Sequence, residues 1–202
     1  MKKLNLHQVE KKLFSLNIKI FTPQDLSFIF DANKRAVQGF LNYNTKKGVF
    51  IRLKKGLYSL KRDLPQEFFL ANRLYSPSYV SLETALSFHH LIPETVYAVT
   101  SVTTKPTREF EVNDRFFEYR KIKKQAYTGY DPQEIEGEIV HLALPEKAVA
   151  DFLYFVSLGK KSFNDRLRLK KIDKKRLNQY LKLFDRKNLI PFVKKILKTK
   201  ND

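Results

Sequence analysis

Between residues 6 and 60 the spacing of apolar residues switches once, from every three or four positions to nearly every second one. That switch constrains which elements can follow one another. Leu6, Val9, Leu13 and Leu16 mark an amphipathic first helix. Thr22-Pro23-Gln24-Asp25 starts a second. There Thr22 can accept from free amides, Pro23 suits the first helical position, and Asp25 suits the positive helix end. Leu26, Ile29 and Phe30 give this helix its buried side, and Asp31-Ala32-Asn33 breaks it. A third helix is expected over about residues 33–43. Val49-Phe50-Ile51-Arg52-Leu53 and Leu57-Tyr58-Ser59-Leu60 then flank Lys54-Lys55-Gly56, which reads as a β-hairpin. Three helices and a hairpin are the order of a winged helix-turn-helix, expected over residues 1–62.

The chain changes character at Asp63-Leu64-Pro65. Pro65 is expected to open a helix reaching Leu74, and Ser76-Pro77-Ser78 to form a turn. Ser81 is expected to cap a helix containing Leu82, Ala85, Leu86 and His89. Strands are expected at residues 97–104, 116–122 and 139–144, and a helix from Pro145-Glu146 to residue 156. Leu177, Leu181 and Phe184 line one further helix, and Ile190, Val193 and Leu197 line another. The fold class expected is therefore α+β. The winged helix-turn-helix is followed by a mixed α/β domain, residues 63–202, with a small sheet and a helical C-terminal tail.

Charge divides the chain in the same way. The net charge is +18, distributed as +11 over residues 1–62, −5 over 63–158 and +12 over 159–202. Two basic segments around an acidic middle imply separate parts, and a surface this basic attracts a polyanion. There is no cysteine, which excludes disulfides, thiolate catalysis and thiolate metal sites. No apolar run is long enough to span a bilayer. The basic start Met1-Lys2-Lys3 is followed by no apolar signal segment, so a cytoplasmic location without membrane contact is expected.

On a helical wheel, Ala36, Val37, Phe40 and Leu41 fall on one side of the third helix. Arg35, Gln38, Gly39 and Asn42 fall on the other, with Lys34 and Tyr43 on the flanks. Arginine pairs with guanine through two hydrogen bonds, and glutamine or asparagine pairs with adenine in the same way. Arg35, Gln38 and Asn42 are thus the base-reading candidates. Gly39, costly in a helix, would let the backbone approach a groove. Lys34, Lys46, Lys47, Arg52, Lys54 and Lys55 surround this face and are the phosphate-contact candidates. The alternative for the face is plain solvation, the ordinary state of a polar helix face.

At this point three stretches resemble a known family. They are Lys55-Gly56-Leu57-Tyr58-Ser59-Leu60, Ser78-Tyr79-Val80-Ser81-Leu82-Glu83-Thr84-Ala85-Leu86 and Ala143-Leu144-Pro145-Glu146-Lys147-Ala148-Val149-Ala150-Asp151. Their residues, order and spacing resemble the AbiEi family of antitoxins and transcriptional regulators of bacterial type IV toxin–antitoxin (abortive infection) systems. The resemblance covers most of the chain to about residue 158. It implies a winged helix that represses its own operon at inverted repeats in double-stranded DNA. It also implies a second domain that counters a nucleotidyltransferase-like toxin without holding it in a stable complex. The family supplies no compact motif for antitoxin residues.

Asp114, Glu118 and Lys121 lie on or beside an expected strand, a loose match to metal-dependent nucleases, with Arg120 where a lysine would stand. Charges alternating on a strand more often form its wet face. His89-His90 and His141 could ligate a metal, but adjacent helical histidines point about 100° apart. No phosphate-cradling glycine loop or nucleophile–base pair is recognisable, so no enzymatic activity, cofactor or metal is expected. A winged-helix module that binds protein instead of DNA is a further alternative. In the tail, Lys170, Lys171, Lys174, Lys175 and Arg176 form a dense cluster, either a second nucleic-acid contact or a solvated face.

Overall fold

A computed structural model describes residues 4–199, so the basic start at residues 1–3 lies outside the described residues. The architecture is mixed α+β, with eight α-helices and two sheets among the described residues. The chain divides into two units, Met1–Pro65 and Gln66–Asp202.

The first unit runs α1 (Leu6–Ser15), β1 (Ile20–Phe21), α2 (Pro23–Phe30), α3 (Lys34–Lys46), β2 (Phe50–Lys54) and β3 (Leu57–Leu60). Each helix is started by a side chain that takes an otherwise unpaired amide. Asn5 accepts from the Gln8 amide and Asn33 from the Ala36 amide. Thr22 and Asp25 satisfy one another reciprocally: the Asp25 amide donates to Thr22 Oγ1 at 3.2 Å, and the Thr22 amide to Asp25 Oδ2 at 2.7 Å. Asp31 turns left-handed at φ 47° and ends α2, so only Ala32 and Asn33 separate it from α3. The strands form an antiparallel sheet in the order β1-β3-β2. Val9, Leu13, Phe21, Leu26, Val37, Leu41, Phe50, Tyr58 and Leu60 make one apolar core beneath helices and sheet.

Two expectations here are corrected. The third helix continues to Lys46, because the Asn44 side chain folds back to donate to the Phe40 carbonyl instead of breaking the helix. The loop of the hairpin is shorter than expected: Lys54 belongs to β2, and Lys55-Gly56 alone make the turn.

The second unit contains α4 (Glu67–Leu74), β4 (Ser78–Val80), α5 (Leu82–Phe88), β5 (Ala98–Thr103), β6 (Arg108–Val112), β7 (Arg115–Lys121), β8 (Tyr130–Ile135), β9 (Glu138–Ala143), α6 (Pro145–Ser157), α7 (Lys174–Lys182) and α8 (Leu189–Thr199). Six strands form one mixed sheet in the order β6-β7-β5-β4-β9-β8, with β5–β7 and β4–β9 parallel. This is twice the number of strands expected. Gln66, not Pro65, caps α4, and Ser78 opens a strand where a turn was expected.

Ser81 does not cap α5: its hydroxyl makes no capping bond and donates instead to Asp151 Oδ2 at 2.7 Å. Tyr79 donates to the same oxygen at 3.0 Å, and Lys147 Nζ donates to Asp151 Oδ1. Lys147 and Asp151 have no solvent exposure, and the ammonium also lies 4.7 Å from the centre of the Phe184 ring. Burial pushes the Lys147 ammonium down and the Asp151 carboxyl up, each toward its neutral form, while their ion pair opposes both shifts. Burial, and then the neighbouring Asp151, hold the Tyr79 phenol well above its ordinary value. Gly129 makes room for this cluster. It sits at φ 77°, and a β-carbon there would meet Tyr180 at 2.7 Å and Lys147 at 3.0 Å.

Removing one partner from a buried pair strands the other charge, at a cost of about 3–5 kcal/mol. Lys147→Met is therefore expected to lower unfolding stability by about that much in urea denaturation. Adding Asp151→Asn to it should recover part of the loss, since the amide oxygen still accepts from Ser81 and Tyr79 without carrying charge. A double variant no more stable than Lys147→Met would show that the pair's charge is not what holds α6 against β4.

Candidate nucleic-acid interface

The outer face of α3 is built by the packing of its inner face. Val37 and Leu41 are fully buried in the first unit's core, with Ala36 and Phe40 half-buried beside them. With 100° between successive residues, this leaves Arg35, Gln38, Gly39 and Asn42 outside, and all four are exposed. Gln38 Nε2 donates to Asn42 Oδ1 at 2.9 Å, one helical turn on. The two amides are thereby presented as one oriented pair, which still offers the Gln38 oxygen and the Asn42 amide hydrogens. A β-carbon on Gly39 would meet nothing within 4 Å. No internal contact therefore demands glycine there.

The cations around this face have different origins. Lys34 lies in the first turn of α3 and is exposed. Lys46 ends the helix and Lys47 caps it, so both come from the helix itself; the Lys47 ammonium lies 4.5 Å from the centre of the exposed Tyr43 ring. Arg52 on β2 and Lys55 in the hairpin turn are exposed. Lys54 differs: it is half-buried and already engaged with another group.

In the second unit, Lys170, Lys171, Lys174, Lys175 and Arg176 are all exposed. The last three fill the first turn of α7, where Asp173 Oδ1 accepts from the Lys175 and Arg176 amides at 2.8 and 3.2 Å. Three cations at the positive end of a helix oppose its dipole, each by a few tenths of a kcal/mol. Arg176 bonds the Tyr180 hydroxyl, and that contact holds its guanidinium above the ordinary value.

The carboxylates considered for a nuclease are distributed otherwise. Asp114 lies at φ 61° in the turn between β6 and β7. Glu118 on β7 is paired, at 2.8 Å with Arg120 and 3.9 Å with Lys161. Lys161 in turn holds Glu83 at 2.8 Å. Among the described residues no three His, Asp or Glu side chains come together as a metal site. His89 spends its Nε2 on the Ala143 carbonyl at 2.7 Å, and the His141 amide donates to Asn72. No helix among the described residues is long and apolar enough to cross a membrane.

Compared with known proteins, the chain matches no family model and no curated protein. What the sequence reading missed is the buried cluster of Tyr79, Ser81, Lys147 and Asp151. Its one signal was a lysine and an aspartate four apart on a largely apolar helix, the spacing of an ion pair on one helix face.

A glycine inside an exposed helix face costs about 0.5–1 kcal/mol relative to alanine. Gly39→Ala is accordingly expected to raise the unfolding stability of the first unit by about that amount, measured by chemical denaturation. A loss of stability instead would mean that glycine serves the fold at this position.

Proposed function

We propose that this chain is a sequence-specific DNA-binding transcriptional regulator. In this reading its first unit is a winged helix-turn-helix, with α2 and α3 as the helix-turn-helix pair, α3 as the recognition helix and the β2–β3 hairpin as the wing. The observation that carries it is the α3 face: Arg35, Gln38 and Asn42 exposed in one row, with Gly39 open among them. A major groove is about 12 Å wide and admits one helix. Arg35 suits guanine, and the Gln38–Asn42 pair suits adenine.

Lys34, Lys46, Lys47, Arg52 and Lys55 then set register and affinity on the phosphates. Lys54 contributes less, being half-buried and engaged. The cations at 170, 171 and 174–176 are a second nucleic-acid contact in the same proposal. With the resemblance to the AbiEi family, the regulator is a cytoplasmic, non-enzymatic antitoxin. It represses its own operon at inverted repeats and counters a nucleotidyltransferase-like toxin without a stable complex.

The test is a gel shift on the DNA upstream of the chain's own gene. Arg35→Ala with Gln38→Ala should abolish the specific shift while leaving the circular-dichroism spectrum unchanged. Affinity should fall steeply with salt, with a logarithmic slope of about −0.9 for each phosphate neutralised. Changing Lys47 or Lys55 to Gln should reduce that slope by about one for each residue, without altering sequence preference. Undiminished binding by the Arg35/Gln38 variant rejects α3 as the reading helix. Failure to bind any DNA at physiological salt favours a protein-binding role for the unit.

A further inference from the structure

The second unit has a cavity of about 610 Å³, two of whose lining cations, Lys170 and Lys171, are shared with the second nucleic-acid contact proposed above. One wall is His89, His90 and Leu91 at the end of α5, and the other is residues 165–171. The walls are tied together, because the Arg168 amide donates to the Leu91 carbonyl at 2.7 Å. Leu91, Leu167 and Leu169 are buried and supply apolar lining. Arg168, Lys170 and Lys171 are exposed cations on the same lining, against the single carboxylate of Asp165. Arg166 adds a fourth cation, loosely held by Glu94 at 3.7 Å.

We infer that this cavity binds a nucleotide, with its phosphate among Arg168, Lys170 and Lys171 and its base against the leucine lining. The volume lies within the range of small-molecule sites, about 300–1,000 Å³. An anion alone needs no apolar lining, and an apolar molecule needs no cations; a nucleotide uses both. Duplex DNA does not place a base in such a hollow, because its bases are paired and stacked and expose only their edges, in the grooves. The ligand is therefore a free mononucleotide or the unpaired terminal nucleotide of a strand, which share this chemistry.

A second feature points the same way. His90 lies at φ 56°, where it closes α5 as the Leu91 amide donates to the Leu86 carbonyl at 2.8 Å. Glycine usually takes that position, and any side chain there is strained. The histidine instead projects an exposed imidazole onto the cavity lining, a donor suited to phosphate or base.

The experiment is calorimetric titration of the full chain with the four ribonucleoside monophosphates, the matching nucleosides and inorganic phosphate. At least one monophosphate should bind, and its nucleoside and phosphate alone should each bind at least about tenfold more weakly. Arg168→Gln with Lys170→Gln should weaken nucleotide binding at least about tenfold, with the thermal midpoint held. His90→Gly should weaken it while leaving or raising that midpoint. Arg35→Ala with Gln38→Ala should leave it unchanged, which separates this site from the α3 face. A 5′-phosphorylated single strand that outcompetes the monophosphate through the same residues assigns the strand end as the source; one that does not assigns the free nucleotide. The inference is overturned if no monophosphate binds at about 1 mM. It is also overturned if phosphate alone binds as tightly as the nucleotide, or if Arg168→Gln with Lys170→Gln changes nothing.

Discussion

An ammonium and a carboxylate shut away from water set the terms for the second unit. Desolvating each costs several kcal/mol, and their attraction offsets that only when the remaining bonding capacity is filled. Asp151 fills its own from Lys147, Ser81 and Tyr79. These donors come from α6 and from β4 and the residue after it, some 70 positions away in the chain. The cluster therefore specifies which part of α6 faces which part of β4, something an apolar contact alone specifies weakly. Its surroundings follow: Gly129 because no β-carbon fits, and Tyr130 stacked on Tyr79 at 4.4 Å between ring centres. The first unit is held differently, by one apolar core with capped helices around it.

That difference explains what could be read from the sequence. The first unit is assembled from local signals. Thr22-Pro23-Gln24-Asp25 carries its own capping chemistry, and the positions of Val37 and Leu41 fix the outer face of α3. What was missed there is short or ambiguous: β1 has two residues, and Asn44 resembles a helix breaker until its side chain finds the Phe40 carbonyl. In the second unit the signals are non-local. β6 and β8 are the edge strands, rich in charge and, in β8, interrupted by Pro132. Edge strands need not look apolar, so alternation does not betray them. Ser81 has the residue type and position of a cap; only the proximity of Asp151 redirects its hydroxyl.

Two of the three stretches behind the family resemblance meet in this buried cluster, Tyr79 and Ser81 from one and Lys147 and Asp151 from the other. These four side chains are occupied with each other and fully buried, so they have no surface to offer a partner. A resemblance carried by such positions concerns architecture first. Function has to be argued from exposed positions that these stretches do not cover, namely the outer face of α3 and residues 165–176.

Three exposed places depart from what local stability would choose. Gly39 sits in a helix where alanine would be more stable and where nothing crowds it. His90 holds a left-handed conformation suited to glycine. Lys174, Lys175 and Arg176 load cations onto the positive end of α7. Among the described residues the Gly39 face is open, and His90, Lys174 and Lys175 are exposed, while Arg176 bonds the Tyr180 hydroxyl. Functional sites are where local rules are expected to give way, and the proposed nucleic-acid and nucleotide contacts fall at such places.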